Sequence, residues 1–166
     1  MENKEQKPRR GVGPWEGPLP EGDHWDLELL AQGDYRNVED QYRYWKREAI
    51  AKEIQDASLG YEVAIENLGH DFNIGSIVRT ANALGASRVH VVGRRRWNRR
   101  GAMVTDRYMD VVHHYEVQDF VGDVGARDLA IVGIDNLPGS TPLEEADLPA
   151  DAVLVFGEAS LPLIVS

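Results

Sequence analysis

Residues 67–86 read NLGHDFNIGSIVRTANALGA, and the apolar spacing in this stretch sets the reading of the whole chain. Ile74, Ile77, Val78, Ala81 and Leu84 recur at intervals of three and four, which places them on one buried helical face. Asn73 stands where an N-cap is expected and Gly85 where a helix stops. The polar residues Asn67, His70, Asp71, Asn73 and Arg79 surround this helix without belonging to its apolar face. Arg79 lies one turn beyond Gly75, and a glycine there leaves room for a long side chain or a ligand phosphate to approach the backbone. From spacing alone, an ordinary surface arginine is the better explanation of Arg79.

On either side of the helix the pattern is strand-like. YEVAIEN precedes it and SRVHVVG follows, then DVVHHYEV, a short helix over residues 118–127, DLAIVGIDN and DAVLVFGE. STPLEEAD reads as a helical turn opening on a capping-box pair, Thr141 and Glu144. Strands alternating with helices predict an α/β domain built on a mainly parallel sheet, whose ligands sit beyond the carboxyl ends of the strands. Those ends are residues 67–73, Gly93 onward, residues 133–136 and Gly157. DLAIVGIDN reads as a buried strand. Upstream, residues 1–34 carry Pro8, Pro14, Pro18 and Pro20 among glycines and read as a flexible arm. Residues 35–60 are expected to hold a helix over 37–57, with Val38, Tyr42, Trp45 and Ala49 along one side as core or interface.

With 166 residues and 42% hydrophobic content, the chain can bury one real core. No apolar run approaches a membrane span, the first ten residues lack a signal-peptide core, and the expectation is a cytoplasmic protein with no membrane partner. There is no cysteine, which removes thiol chemistry and cysteine-ligated zinc, and no metal is expected. His113 and His114 are neighbours on a strand, so alternation turns them to opposite faces. Neither a dinucleotide-binding glycine fingerprint nor a phosphate-binding loop with its lysine is present.

The formal charge of −10 argues at first against a nucleic-acid partner. Its distribution argues otherwise. Arg94, Arg95, Arg96, Trp97, Arg99 and Arg100 crowd into seven residues free of carboxylates, while the acids gather elsewhere, as in residues 143–151. Such a run is commonly just a solvated loop, but guanidinium groups around an aromatic ring suit phosphates and stacked bases, so these six residues are the expected nucleic-acid contacts.

The stretch containing Asn73, Gly75, Ile77, Arg79, Thr80 and Ala81 resembles the first signature, N-x-G-x-I-x-R-T-A, of the SpoU/TrmH family of RNA ribose 2′-O-methyltransferases. VHVVGRRRWNRRGAMVTDRY and IVGIDNLPGSTPLE are also similar to bacterial members, and the resemblance covers about residues 35–158. It implies the SPOUT type of α/β fold, in which a C-terminal trefoil knot is one of the rare exceptions to unthreaded chains. It implies S-adenosylmethionine as cofactor, tRNA or rRNA as partner and a homodimer. By the same resemblance, Asn73 holds the catalytic geometry and Arg79 activates the ribose hydroxyl. Gly133, Ile134, Asp135, Phe156 and Gly157 would lie near the cofactor. An arginine whose pKa exceeds about 12 is a poor base, which makes electrostatic or phosphate-assisted activation the easier role.

The end of the sequence departs from the family pattern. The second signature, F-G-x-E-x-x-G-L, is met by Phe156 and Gly157, but Glu158 falls one place early and Leu161 and Pro162 stand in the glycine-containing loop. The third signature is absent, and the sequence ends LPLIVS. The expectation is therefore a truncated partial methyltransferase domain over residues 61–166, lacking the knot segment and with weakened cofactor binding. The alternative is an RNA-binding module that retains the arginine loop without catalysis.

Overall fold

The structure, a computed structural model, describes residues 11–67, 71–94 and 96–157, except for the side chains of residues 71–73. The chain divides into two compact units, residues 1–53 and 54–166.

The first unit is more structured than its proline content suggests. Helix α1 (Leu27–Gln32) starts at Asp26, whose carboxylate accepts from the backbone N–H groups of Glu28 at 3.0 Å and Leu29 at 3.2 Å. Antiparallel bridges join Val12 to Asp34 and Trp25 to Trp45. The expected arm over residues 1–34 is thus corrected from residue 11 onward. What the composition hid is an aromatic cluster. Trp25 lies 6.3 Å from both Trp15 and Trp45, and His24 sits 4.4 Å from Trp45. The fully buried Asp34 carboxylate accepts from Arg36 Nε at 2.9 Å and from the Tyr44 N–H at 2.9 Å. These contacts order a segment whose glycines and prolines serve as turns.

The helix expected over 37–57 is also shorter. A 3-10 turn (Asp40–Tyr42) is followed by Tyr44 at φ 62°, and α2 (Arg47–Asp56) begins only after it. A left-handed tyrosine cannot continue a right-handed helix. Trp45 therefore joins the aromatic cluster rather than a helical stripe.

The second unit is the α/β domain. Among the described residues, five strands, β1 (Glu62–Glu66), β2 (Arg88–Val92), β3 (Asp110–His114), β4 (Ile131–Ile134) and β5 (Val153–Phe156), form one sheet in the order β3-β2-β1-β5-β4. All four pairings are parallel. Helices α3 (Asp71–Ala83) and α4 (Val117–Ala126) connect them, close to the expected positions. Two further expectations need correction. β4 lies at the sheet edge and is only half-buried, because β5 inserts between it and β1. The turn after it is a 3-10 helix (Leu143–Glu145) preceded by Pro142, with no side-chain cap from Thr141.

Alternation along the strands divides the core. Val63, Ile65, Val89 and Val91 pack with Ile74, Val78 and Ala81 of α3, whereas Ala64, Val92, Val153 and Val155 pack with Phe120 and Val124 of α4. α3 ends as its sequence predicts. Gly85 has φ 78°, its N–H bonds to the Asn82 carbonyl and that of Ala86 to the Ala81 carbonyl, which closes the helix with a Schellman motif.

Candidate active site

Register brings the expected site segments to one edge. His113, Val91, Ile65, Phe156 and Ile134 lie in one row across the sheet, and the chain leaves β1, β2, β4 and β5 on the same side of it. Residues 67, 93, 135 and 157 are consequently neighbours in a single carboxyl-end rim. Gly93 has φ 139° and an added Cβ would sit 3.1 Å from the Asn67 carbonyl oxygen, so the β2 exit and the β1 exit require a glycine between them.

Asn73 lies in the first turn of α3, which begins at Asp71, three residues earlier than its expected role as N-cap requires. Its backbone N–H belongs to the turn whose donors lack intrahelical partners. Its side chain lies outside the described residues, as do Arg95 and the LPLIVS end.

Arg79 is half-buried and anchored at both terminal guanidinium nitrogens. Nη1 donates to the Gly101 carbonyl at 3.0 Å and Nη2 to Ser76 Oγ at 3.0 Å. Gly75 explains how that is possible. A Cβ there would fall 2.2 Å from Gly101 C and 2.6 Å from Ala102 N, so the helix and the segment after the arginine run are in backbone contact. The room left by Gly75 is filled by the chain itself, a correction to the expectation of a ligand phosphate.

The arginine run ends in a 3-10 helix (Arg99–Ala102) whose start is capped by Asn98, its side chain accepting from the Arg100 N–H at 3.0 Å. Arg94, Arg96, Arg99 and Arg100 are exposed; Arg94 pairs with Glu116 at 2.6 Å and Arg99 lies 4.0 Å from Asp106. Trp97 differs from them. It is only 9% exposed and belongs to the α3 core with Ile74, Val78 and Ala102, so its expected role as a stacking surface for bases is corrected. Its indole anchors the loop so that the neighbouring guanidinium groups face solvent.

The expected cofactor residues separate. Gly133, Ile134 and Asp135 line a cleft of about 520 Å³ together with Asn136, Ser140 and Thr141. A Cβ at Gly133 would meet nothing within 4 Å, which leaves open space beside the strand end. Phe156 instead lines an apolar hollow of about 360 Å³ with Tyr61, Ile77, Ala81, Leu84 and Leu154. Gly157 is exposed at the strand end.

The α4 side of the sheet holds a polar group that sequence reading missed. His90 Nδ1 lies 2.8 Å from His114 Nε2, and His90 Nε2 lies 2.7 Å from Glu62 Oε2. Arg127 donates to Glu62 and, at 3.0 Å, to Asp123 Oδ2. Burial raises the Glu62 carboxyl, but the bonds from Arg127 and His90 outweigh it and hold it below the usual range. Burial lowers both imidazoles despite the carboxylate beside His90. His113 faces away, its Nε2 2.7 Å from the Gly93 carbonyl. The available signal was the two-residue alternation of Glu62 and Ala64 on β1 with His90 and Val92 on β2, but pairing the strands required the register.

The model of the SpoU rRNA methylase family matches residues 60–160. The chain belongs to the SpoU rRNA methylase family. Among solved structures it is similar to a TrmH/SpoU tRNA modifying enzyme from A. aeolicus, with 19% identity and a TM-score of 0.55 over 68% of this chain and 61% of that one. It is similar to the SpoU methyltransferase AviRb from Streptomyces viridochromogenes in complex with AdoMet, with 22% identity and a TM-score of 0.56 over 66% and 47%. An AdoMet-bound rRNA methyltransferase from Sinorhizobium meliloti gives 24% identity and a TM-score of 0.52 over 66% and 45%. The chain thus spans between 45% and 61% of the length of these proteins. These likenesses establish the SPOUT-type α/β fold. Comparison with curated proteins gave no match.

Proposed function

We propose that this SpoU-family chain is an S-adenosylmethionine-dependent methyltransferase acting on a ribose 2′-hydroxyl of tRNA or rRNA. The observation that carries the reading is the double anchorage of Arg79. One guanidinium group ties the signature helix to the carbonyl that follows the arginine run, so the candidate catalytic charge and the candidate RNA contacts are parts of one rigid device.

The cleft beyond β4 fits the cofactor. At about 520 Å³ it is in the range of small-molecule sites, roughly 300–1,000 Å³, and the backbone groups of residues 133–135 with Ser140 and Thr141 give it polar lining. Those residues would hold S-adenosylmethionine, which supplies an electrophilic methyl group when bound. Arg94, Arg96, Arg99 and Arg100 bind the phosphates of the RNA and release its counterions. Arg79 acts by charge, stabilising the negative oxygen that develops as the ribose hydroxyl loses its proton. Asn73 orients that hydroxyl from the first turn of α3.

Labelled methyl transfer to bulk tRNA and rRNA, followed by mapping of alkali-resistant linkages, tests the reading. Arg79→Ala should lower transfer by about a hundredfold while leaving RNA binding within a few-fold. Equal transfer by the variant removes Arg79 from the chemistry. RNA binding that is salt-dependent, with no transfer and no heat of binding on titration with S-adenosylmethionine, establishes the RNA-binding module instead.

A further inference from the structure

We propose that His90, His114 and Asp123 form a binding site for a divalent first-row transition-metal ion of the zinc class, a site separate from the strand-end rim. Among the described residues, these three bring their ligand atoms within 4.8 Å of one another. They come from three elements, β2, β3 and α4, so the site exists only in the folded domain.

Hydrogen-bond logic determines the state of the first ligand. A carboxylate can only accept, so His90 Nε2 carries the proton shared with Glu62 at 2.7 Å. The neutral ring then presents a lone pair at Nδ1, directed at His114 Nε2 across 2.8 Å. His90 is thereby oriented and made more basic by a carboxylate behind it, the outer-shell arrangement that metal-bound imidazoles require. Two nitrogens on one tetrahedral ion at about 2.0–2.1 Å are roughly 3.3 Å apart, so a small opening of the pair admits the ion. His114 shifts its proton from Nε2 to Nδ1 as the ion enters, and no proton is released. Asp123, with its side chain 37% exposed, has the freedom to swing in. Both guanidinium contacts of its carboxylate use Oδ2.

Local charge permits a cation despite two arginines. Arg88 pairs with Asp110 at 2.6 Å and Arg127 pairs with Glu62, while Asp119 and Asp123 act on His114. Four carboxylates face two guanidinium groups, an excess that a divalent ion neutralises. The two imidazoles are borderline ligands that select zinc-class ions over magnesium or calcium, the carboxylate is a hard third ligand that such ions also accept, and a coordination position is left for water. The ion would clip β3, which among the described residues is an edge strand paired with β2, to α4.

The test is equilibrium dialysis of the untagged chain against Zn²⁺, with Co²⁺ substitution read by visible absorption. The expected result is one ion per chain and the intense Co²⁺ bands of a four-coordinate site. His114→Gln and Asp123→Asn should each weaken binding by at least about tenfold, and His113→Gln, on the opposite face, should leave it unchanged. Glu62→Gln should weaken it by about tenfold or more while preserving stoichiometry. Asp123→Asn alters a partly exposed residue, so it decides the matter if His114→Gln does not fold. No bound ion, binding that survives Asp123→Asn at full strength, or binding abolished by His113→Gln would each overturn the assignment. Because the readout is metal content and absorption, its failure is independent of whether methyl transfer occurs.

Discussion

The two faces of the central strands are built on opposite plans. On the α3 face, β1 and β2 contribute Val63, Ile65, Val89 and Val91, which pack against Ile74, Val78 and Ala81 of the helix. On the α4 face the same two strands contribute Glu62 and His90, both buried, beside Ala64 and Val92. The difference teaches a division of labour. The apolar face carries the signature helix and, through Trp97, is joined to the segment that holds the arginines. The polar face is held by directional bonds, which specify geometry but cost desolvation unless every partner is present.

That contrast predicts unequal sensitivity to single changes. The largest loss should follow Glu62→Ala, which strands Arg127 and His90 without their shared acceptor and should cost about 3 kcal/mol or more in urea unfolding. A loss near zero would mean that the polar face contributes no specificity. Gly75→Ala tests the apolar face. Its Cβ collides with backbone at 2.2 Å, so about 2–3 kcal/mol of destabilisation is expected, with the segment around Gly101 pushed off α3. Unchanged stability and unchanged RNA affinity would show that the close approach is dispensable.

Asp34 supplies a control outside both faces. Burial raises its carboxyl, but the Arg36 side chain, the N–H groups of Tyr44 and Arg36 and the guanidinium charge outweigh this and lower it to about 2 from 3.8. A depressed carboxylate contributes stability above its unfolded pKa and loses it as pH falls through the folded one. The first unit should therefore lose about 2 kcal/mol between pH about 4 and pH about 2, seen as hydrogen exchange in residues 26–34, and Asp34→Asn should flatten the loss. The smallest effect belongs to Arg94→Ala. Its pair with Glu116 is 82% exposed on the arginine side, so unfolding should be unaltered while the salt dependence of RNA binding becomes shallower. A large stability change there would move Arg94 from the RNA surface to the scaffold.

The local periods of the chain determined much of this molecule on their own. Five strands, the α3 helix with its glycine stop and the rim residues follow from spacing and composition, because alternation of two and repeats near 3.6 are local properties. Only the family resemblance singles out Asn73 and Arg79 as site residues. What only the tertiary structure decided depends on contacts between distant residues. Trp97 reads as an RNA-stacking residue by its neighbours in sequence and is core by its neighbours in space, since Ile74 and Val78 on α3 claim its ring. The N-terminal segment reads as an arm because its glycines and prolines dominate locally, yet Trp15, Trp25 and Trp45 meet across thirty residues and order it. Glu62, His90, His114 and Asp123 lie on four separate elements, and no period relates them. Parallel register places Glu62, His90 and His114 together on one buried face of the sheet, and the packing of α4 on that face brings Asp123 to its rim, since both pairings are chosen by the fold of the whole domain.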